Sequence, residues 1–191
     1  FEQLHPQVNF EIDFNDRHID LIEDGFDLAL RISKLSDSGM MARRLAPISA
    51  LVLASPAYWK KNGLPKKPED LSKHPVLEYS YRGSSAWRYE GPRGKSGSVR
   101  IKEIMSSNHG YFLRDAAIAG LGVILQPTFI CNQAIEQGLL EPVLTQYRWL
   151  NLALYAIYPN TRHLSNRIRV FIDFLAERWG DDPYWDECYE C

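Results

Sequence analysis

The sequence predicts an α/β protein built as two lobes. Two observations carry that expectation. Short apolar runs suited to strands alternate with helical patterns along the chain. The chain would also pass between lobes twice, near Ala54 and near Asn151. With 191 residues it is long enough to bury a sizeable core, as one domain or two small lobes. Lobe one then takes residues 1–53 and 152–191, and lobe two takes 54–151.

The elements follow in order. Phe1 to Pro6 reads as the end of a helix running into a loop, and Val8, Phe10, Ile12 and Phe14 alternate with polar residues as in a half-buried strand. Residues 17–24 suit a short helix, with Ile19, Ile22 and Phe26 on one face and Gly25 as its stop. Residues 27–31 suit a buried strand, 33–41 a loop, and Ala50 to Ala54 a strong apolar strand. Ser55 caps a helix that has Pro56 in its first turn. Val76 to Tyr79, Ala86 to Tyr89 and Val99 to Lys102 are short strands separated by Gly- and Ser-rich turns. Residues 108–119 form a helix, with Phe112, Ala116 and Ala119 on a shared face. Val123 to Leu125 form a buried strand, and a helix from Pro127 and Thr128 ends at Gly138. Leu152 to Tyr158 is again strand. Leu164, Ile168, Phe171, Ile172, Leu175 and Trp179 then mark one stripe of a final amphipathic helix.

Composition narrows the function classes. The chain has 22 basic and 24 acidic residues, a net charge of −2, and no basic patch of the kind a nucleic-acid binder carries. No run of about 20 apolar residues suits a membrane span, so no membrane partner is expected. The start, Phe-Glu-Gln-Leu-His-Pro-Gln, does not read as a signal peptide. Catalytic signatures are lacking: there is no Gly-x-Ser-x-Gly elbow, His-Glu-x-x-His pair or phosphate loop. The five histidines are scattered without metal-ligand spacing, so no metal or cofactor is expected. "GLG" at 120–122 follows a helix rather than a strand, which excludes a dinucleotide fingerprint. Cys131 reads as a buried small hydrophobe. Cys188 and Cys191 have Cys-x-x-Cys spacing but no second ligand pair, so they read as part of a loose tail.

The candidate binding residues lie at strand carboxyl ends and helix amino ends. Arg31 ends an apolar strand, the place where open α/β sheets bind ligands, and a guanidinium pairs bidentately with a carboxylate. Ser106, Ser107, Asn108 and His109 precede a helix whose free N–H groups favour an anion. Gln126, Pro127 and Thr128 follow a buried strand at its carboxyl end, and His18 lies near a loop. Arg43 and Arg44 read as a solvated strand edge. Tyr79, Tyr81, Trp87 and Tyr89 read as core, or as an aromatic wall in lobe two that would suit an aromatic acid.

The run "RHIDLIEDGFDLALRI" at 17–32 resembles the effector-binding domain of LysR-type transcriptional regulators. Four further blocks resemble that family in the same order. They are "ARRLA" leading to "LVLASPAYWKKNGLPKKPEDLSKHPVL", "SSNHGYFLRDAAIAGLGVILQP", "QGLLEPVL" and "YAIYPNTRHLSNRIRVFIDFL". The resemblance extends to about Arg178. It implies a two-lobed, type 2 periplasmic-binding-protein-like fold with two crossover segments, and a bacterial, cytoplasmic regulator that is not an enzyme. It implies a small anionic effector held in an interlobe cleft lined by Arg31, Ser106–His109, Gln126–Thr128 and His18. It also implies that Phe1–Pro6 ends the family's first helix, so that the first strand, most of that helix and the DNA-reading domain lie outside this chain. Self-association into dimers or tetramers is expected, with the strand at Val8 to Phe14 as an open edge. The alternative class is a free-standing solute-binding protein of the same architecture. An upstream helix-turn-helix would decide for the regulator, and an upstream secretory signal for the alternative. Because DNA binding rests on phosphate contacts made by basic side chains, this chain alone is expected to show no specific DNA affinity. Salt-sensitive binding to a promoter fragment at submicromolar protein would contradict that.

Overall fold

The structure, a computed structural model, describes residues 1–15, 20–33, 41–82, 86–160 and 164–189. Its strands and helices run β1 (Ala29–Ser33), β2 (Met41–Ile48), β3 (Ala50–Ala54), α1 (Pro56–Asn62), β4 (Pro75–Tyr79), β5 (Ala86–Glu90), β6 (Ser96–Arg100), β7 (Lys102–Ser107), α2 (Gly110–Ile118), β8 (Ile124–Pro127), α3 (Thr128–Glu136), β9 (Glu141–Val143), β10 (Leu152–Tyr158) and α4 (Asn166–Trp179). The chain divides into two units: residues 1–47 with 152–184, and residues 48–151 with 185–191.

Unit 1 is a three-stranded sheet, β1-β10-β2, with α4 against it. β1 and β10 are antiparallel, with Arg31 opposite Tyr155. Ser165 caps α4 by accepting the Ile168 N–H. The helix buries Ile172 and Leu175 against Leu45 and Ala156. Phe1 packs edge-on against Phe171 and Phe174, at 4.9 and 5.3 Å between ring centroids. Arg43 and Arg44 on β2 pair with Asp173 and Asp181 at the exposed surface.

Unit 2 holds the larger core. β3 lies between β8 and β9, antiparallel to both. β4 pairs in parallel with β7 on one side. On its other side it bridges in parallel to Val123, which leads directly into β8, through Leu77 N–H to Val123 O and Val123 N–H to Pro75 O, both 2.9 Å. Gly122 permits that seam, because a Cβ there would meet Pro75 O at 2.7 Å. The carboxyl ends of β7 and β8 therefore point the same way, and each feeds a helix, α2 and α3. A hairpin of β5 and β6 carries Trp87, which is buried and donates its indole N–H to the Glu78 carboxylate. Trp87, Tyr89, Tyr147 and Trp149 form one aromatic cluster. Tyr79 pairs separately with Tyr81.

Several expectations are corrected. β3 belongs to unit 2, so the first passage between units falls at Pro47–Ile48 rather than Ala54. A strand buried on both faces must sit inside a sheet, but only the pairing says which sheet. Residues 7–15 form no strand; Ile12 is 67% and Phe14 94% exposed, because alternation alone supplies no partner for the backbone. The expected helix at 17–24 is, over its described part, a turn: Asp24 N–H bonds Asp20 O, and the Asp20 carboxylate accepts from the Ile22 and Glu23 N–H groups. Leu21 rather than Ile22 is buried there. On α2 the buried face is Leu113, Ala116 and Ala117, with Phe112 outside. Residues 184–189 are not a loose tail but a 3-10 turn, with Trp185 and Asp186 buried in unit 2.

Ser55 caps α1, and the helix packs Tyr58 and Trp59 around His74. The Tyr58 hydroxyl and His74 Nδ1 lie 3.0 Å apart. Burial holds the imidazole below its ordinary value of 6.5, against an upward pull from Asp70 and with a downward push from Lys73. Below pH 6.5 the unfolded chain therefore binds the proton more readily than the folded one, so His74's contribution to stability is present above 6.5 and lost as pH falls. Thermal unfolding followed from pH 7 to 5 should show a steeper fall for the native chain than for His74→Gln. Equal slopes would contradict the assignment.

Candidate functional site

The amino end of α2 gathers the site. β7 delivers Ser106 and Ser107, paired in register with Glu78 and Tyr79 of β4. The chain turns at Asn108 and enters the helix after His109. That turn has local causes. The His109 N–H donates to Ser107 Oγ at 3.1 Å, and His109 Nδ1 accepts the Phe112 N–H at 3.2 Å. With Nδ1 accepting, a neutral imidazole carries its proton on Nε2 and offers it as a donor. Ser107 Oγ, already accepting, keeps its own proton to donate. The amides of Gly110 and Tyr111 lie ahead of the first intrahelical bond, Leu113 N–H to His109 O.

Below this end lies Gln126, 1% exposed, the third residue of β8. Its Nε2 is buried and has no hydrogen-bond partner among the described residues. The same amide sits against Gly110: a Cβ on Gly110 would fall 3.2 Å from Gln126 Oε1 and 2.6 Å from Ile130 Cδ1. Glycine at the first helical position therefore lets β8 and α2 close on each other. An open depression of about 550 Å³ is lined by Ser107, His109, Tyr111, Phe112 and Asp115. Arg114 meets the Asp115 carboxylate at 2.8 Å and lies over the Tyr111 ring at 4.9 Å, so the one acid lining the depression is balanced by a cation beside it. Hydroxyl, imidazole and amide donors at a helix amino end, with half-exposed aromatic rings alongside, suit a carboxylate on an apolar or aromatic body.

Unit 2 thus holds seven of the nine residues named from the sequence: Ser106, Ser107, Asn108, His109, Gln126, Pro127 and Thr128. Arg31 lies half-buried on β1 of unit 1, and His18 falls outside the described residues. Ser106 and Asn108 are exposed and are not among the residues that line the depression. Thr128 is fully buried, and its hydroxyl donates to the Asp186 carboxylate. Sequence reasoning missed Gly110, Tyr111 and Phe112. The only available signal was their place directly after the named Ser-Ser-Asn-His run. It also missed Ser49 and Asp186, which meet across 137 residues of chain. Among the described residues no group of three or more His, Cys, Asp or Glu side chains is placed to hold a metal. Among the described residues, too, no helix is long and apolar enough to cross a membrane.

The profile of one family, described as the LysR substrate binding domain, matches residues 1–180. An uncharacterized HTH-type transcriptional regulator of Haemophilus influenzae is 36% identical over 169 residues, covering 88% of this chain and 58% of that protein. The HTH-type transcriptional regulator CrgA of Neisseria meningitidis serogroup B is 30% identical over 184 residues, covering 95% and 61%. The solved regulatory domain of CrgA is 31% identical with a TM-score of 0.79, covering 92% of this chain and 86% of that one. The full-length virulence activator AphB of Vibrio cholerae is 23% identical at a TM-score of 0.78, which shows the shared fold. The chain spans 58% to 61% of the length of these two curated relatives. The fold is the type 2 periplasmic-binding-protein-like one of LysR regulatory domains, and the relatives are transcriptional regulators, not enzymes.

A buried amide nitrogen without a partner lowers stability by about 1–3 kcal/mol. Gln126→Met, similar in shape and without that donor, should therefore leave the chain as stable as before or up to about 1 kcal/mol more so in denaturant melts. A large loss of stability would show that the amide serves the folded state as it stands.

Proposed function

This chain belongs to the LysR substrate binding domain family, and we propose that it senses a small organic anion held at the amino end of α2. One observation carries the reading: Gln126 Nε2 is buried without a partner among the described residues, and its amide packs through Oε1 against Gly110, the first residue of the helix whose amino end carries Ser107 and His109. A donor kept buried at a cost to the empty protein is what a carboxylate-binding site needs, because the ligand supplies the missing acceptor. Tyr111 and Phe112 add apolar contact, which favours an acid with an aromatic or branched body over a bare inorganic anion. In the longer regulator, recognition of DNA belongs to a domain outside this chain. Self-association and a cytoplasmic site of action follow from that role.

A thermal-shift screen of small carboxylic acids and their neutral amides tests this. An acid that binds the folded state raises the midpoint by mass action, and the matching amide does not. Ser107→Ala and Gln126→Met should each weaken binding of the best acid by about tenfold, the worth of one hydrogen bond to a charged group. If no acid raises the midpoint, or both variants bind as the native chain does, the reading fails.

A further inference from the structure

The second helix fed by a parallel strand, α3, has an amino end that is already filled. Its N-cap is Pro127, which provides no capping side chain. Instead the Asp186 carboxylate, 7% exposed, reaches it from the far end of the chain. One oxygen accepts from Ser49 Oγ at 2.8 Å and the other from Thr128 Oγ1 at 2.5 Å. Thr128 N–H donates to Ser49 O at 3.1 Å, so the two hydroxyl-bearing residues are locked side by side. Next to Asp186, the Trp185 ring, 5% exposed, meets the Phe129 ring edge-on at 6.1 Å. This segment lies beyond the residues matched by the family profile, which end at 180.

A carboxylate buried at a helix amino end and held by two hydroxyl donors has the chemistry of a bound organic acid. We propose that Ser49, Thr128 and the amino end of α3 form a carboxylate-binding site that the chain occupies with its own Asp186. The site is distinct from the α2 end and does not depend on the effector reading. The tether gives Asp186 an effective concentration that a free acid at millimolar concentration does not match, so the site is masked in the native chain. A short free carboxylate takes its place only when the resident side chain is removed. A purely apolar docking of Trp185, by contrast, would leave no preference for a carboxylate at this point.

The test is chemical rescue of the full chain. Asp186→Ala and Asp186→Ser should each melt roughly 5 °C below the native protein, since each loses a charge-assisted pair of hydrogen bonds. Millimolar sodium acetate should restore at least half of that loss. Sodium chloride at equal ionic strength and acetamide at equal concentration should restore none. Adding Thr128→Val to either variant should abolish the rescue, and the native chain should not respond. If either variant lacks a cooperative melt, recovery of the native near-ultraviolet circular dichroism on adding acetate is read by the same criteria. Equal effects of acetate and chloride, acetamide matching acetate, or rescue that survives Thr128→Val would each overturn the proposal.

Discussion

The strand Ala50–Ala54 sets the frame on which unit 2 depends. Every residue of β3 is buried, with Val52, Leu53 and Ala54 fully so. Such a strand needs partners on both edges and apolar cover on both faces, since an unpaired buried amide costs about 1–3 kcal/mol. β8 and β9 supply the edges. The faces are covered by two separate clusters. Val52 and Ala54 point into one with Trp59, Trp87 and Trp149, and Leu51 and Leu53 into the other with Leu113, Ile124 and Cys131. This alternation is the ordinary period of two along a strand, and here it divides the core of unit 2 into halves with α2 and α3 on one side.

From that strand follows the position of both helix ends. β3 fixes β8 in register, with Leu51 opposite Gln126 and Ala50 opposite Pro127. β8 in turn fixes Gln126 beneath Gly110 and Thr128 beside Ser49. One strand edge therefore presents two helix amino ends of like polarity. Their treatment differs. The α2 end is capped by a histidine and a serine that both retain a donor. The α3 end is closed by a carboxylate carried on the chain itself. Of these two ends, the α2 end keeps donors to offer and the α3 end spends its hydroxyl donors on Asp186.

Much of this was legible in the residues. Caps and breakers act over three or four residues, so Ser55 with Pro56, and Gly138 after α3, marked their helices from sequence. Leu152–Tyr158 and the α4 stripe were equally clear, because an uninterrupted period of two or of 3.6 needs no distant partner to be read. The Ser-Ser-Asn-His run announced a helix start, and its five-block resemblance announced the family. The pattern at Val8 to Phe14 misled, because alternation describes a surface that a sheet would bury but does not create the sheet.

The sequence by itself determined the class of fold and the local helix ends, among them those that follow the runs at 106–109 and 126–127. Those signals lie within one turn or one strand. Only the tertiary structure decided that β3 sits in unit 2, that Gly110 admits the Gln126 amide, and that Asp186 closes α3. Each of these joins residues far apart in the chain, and Ser49 to Asp186 spans 137 positions. A pairing of that length is chosen by which strand lies beside which, through burial and register, and no local spacing encodes it.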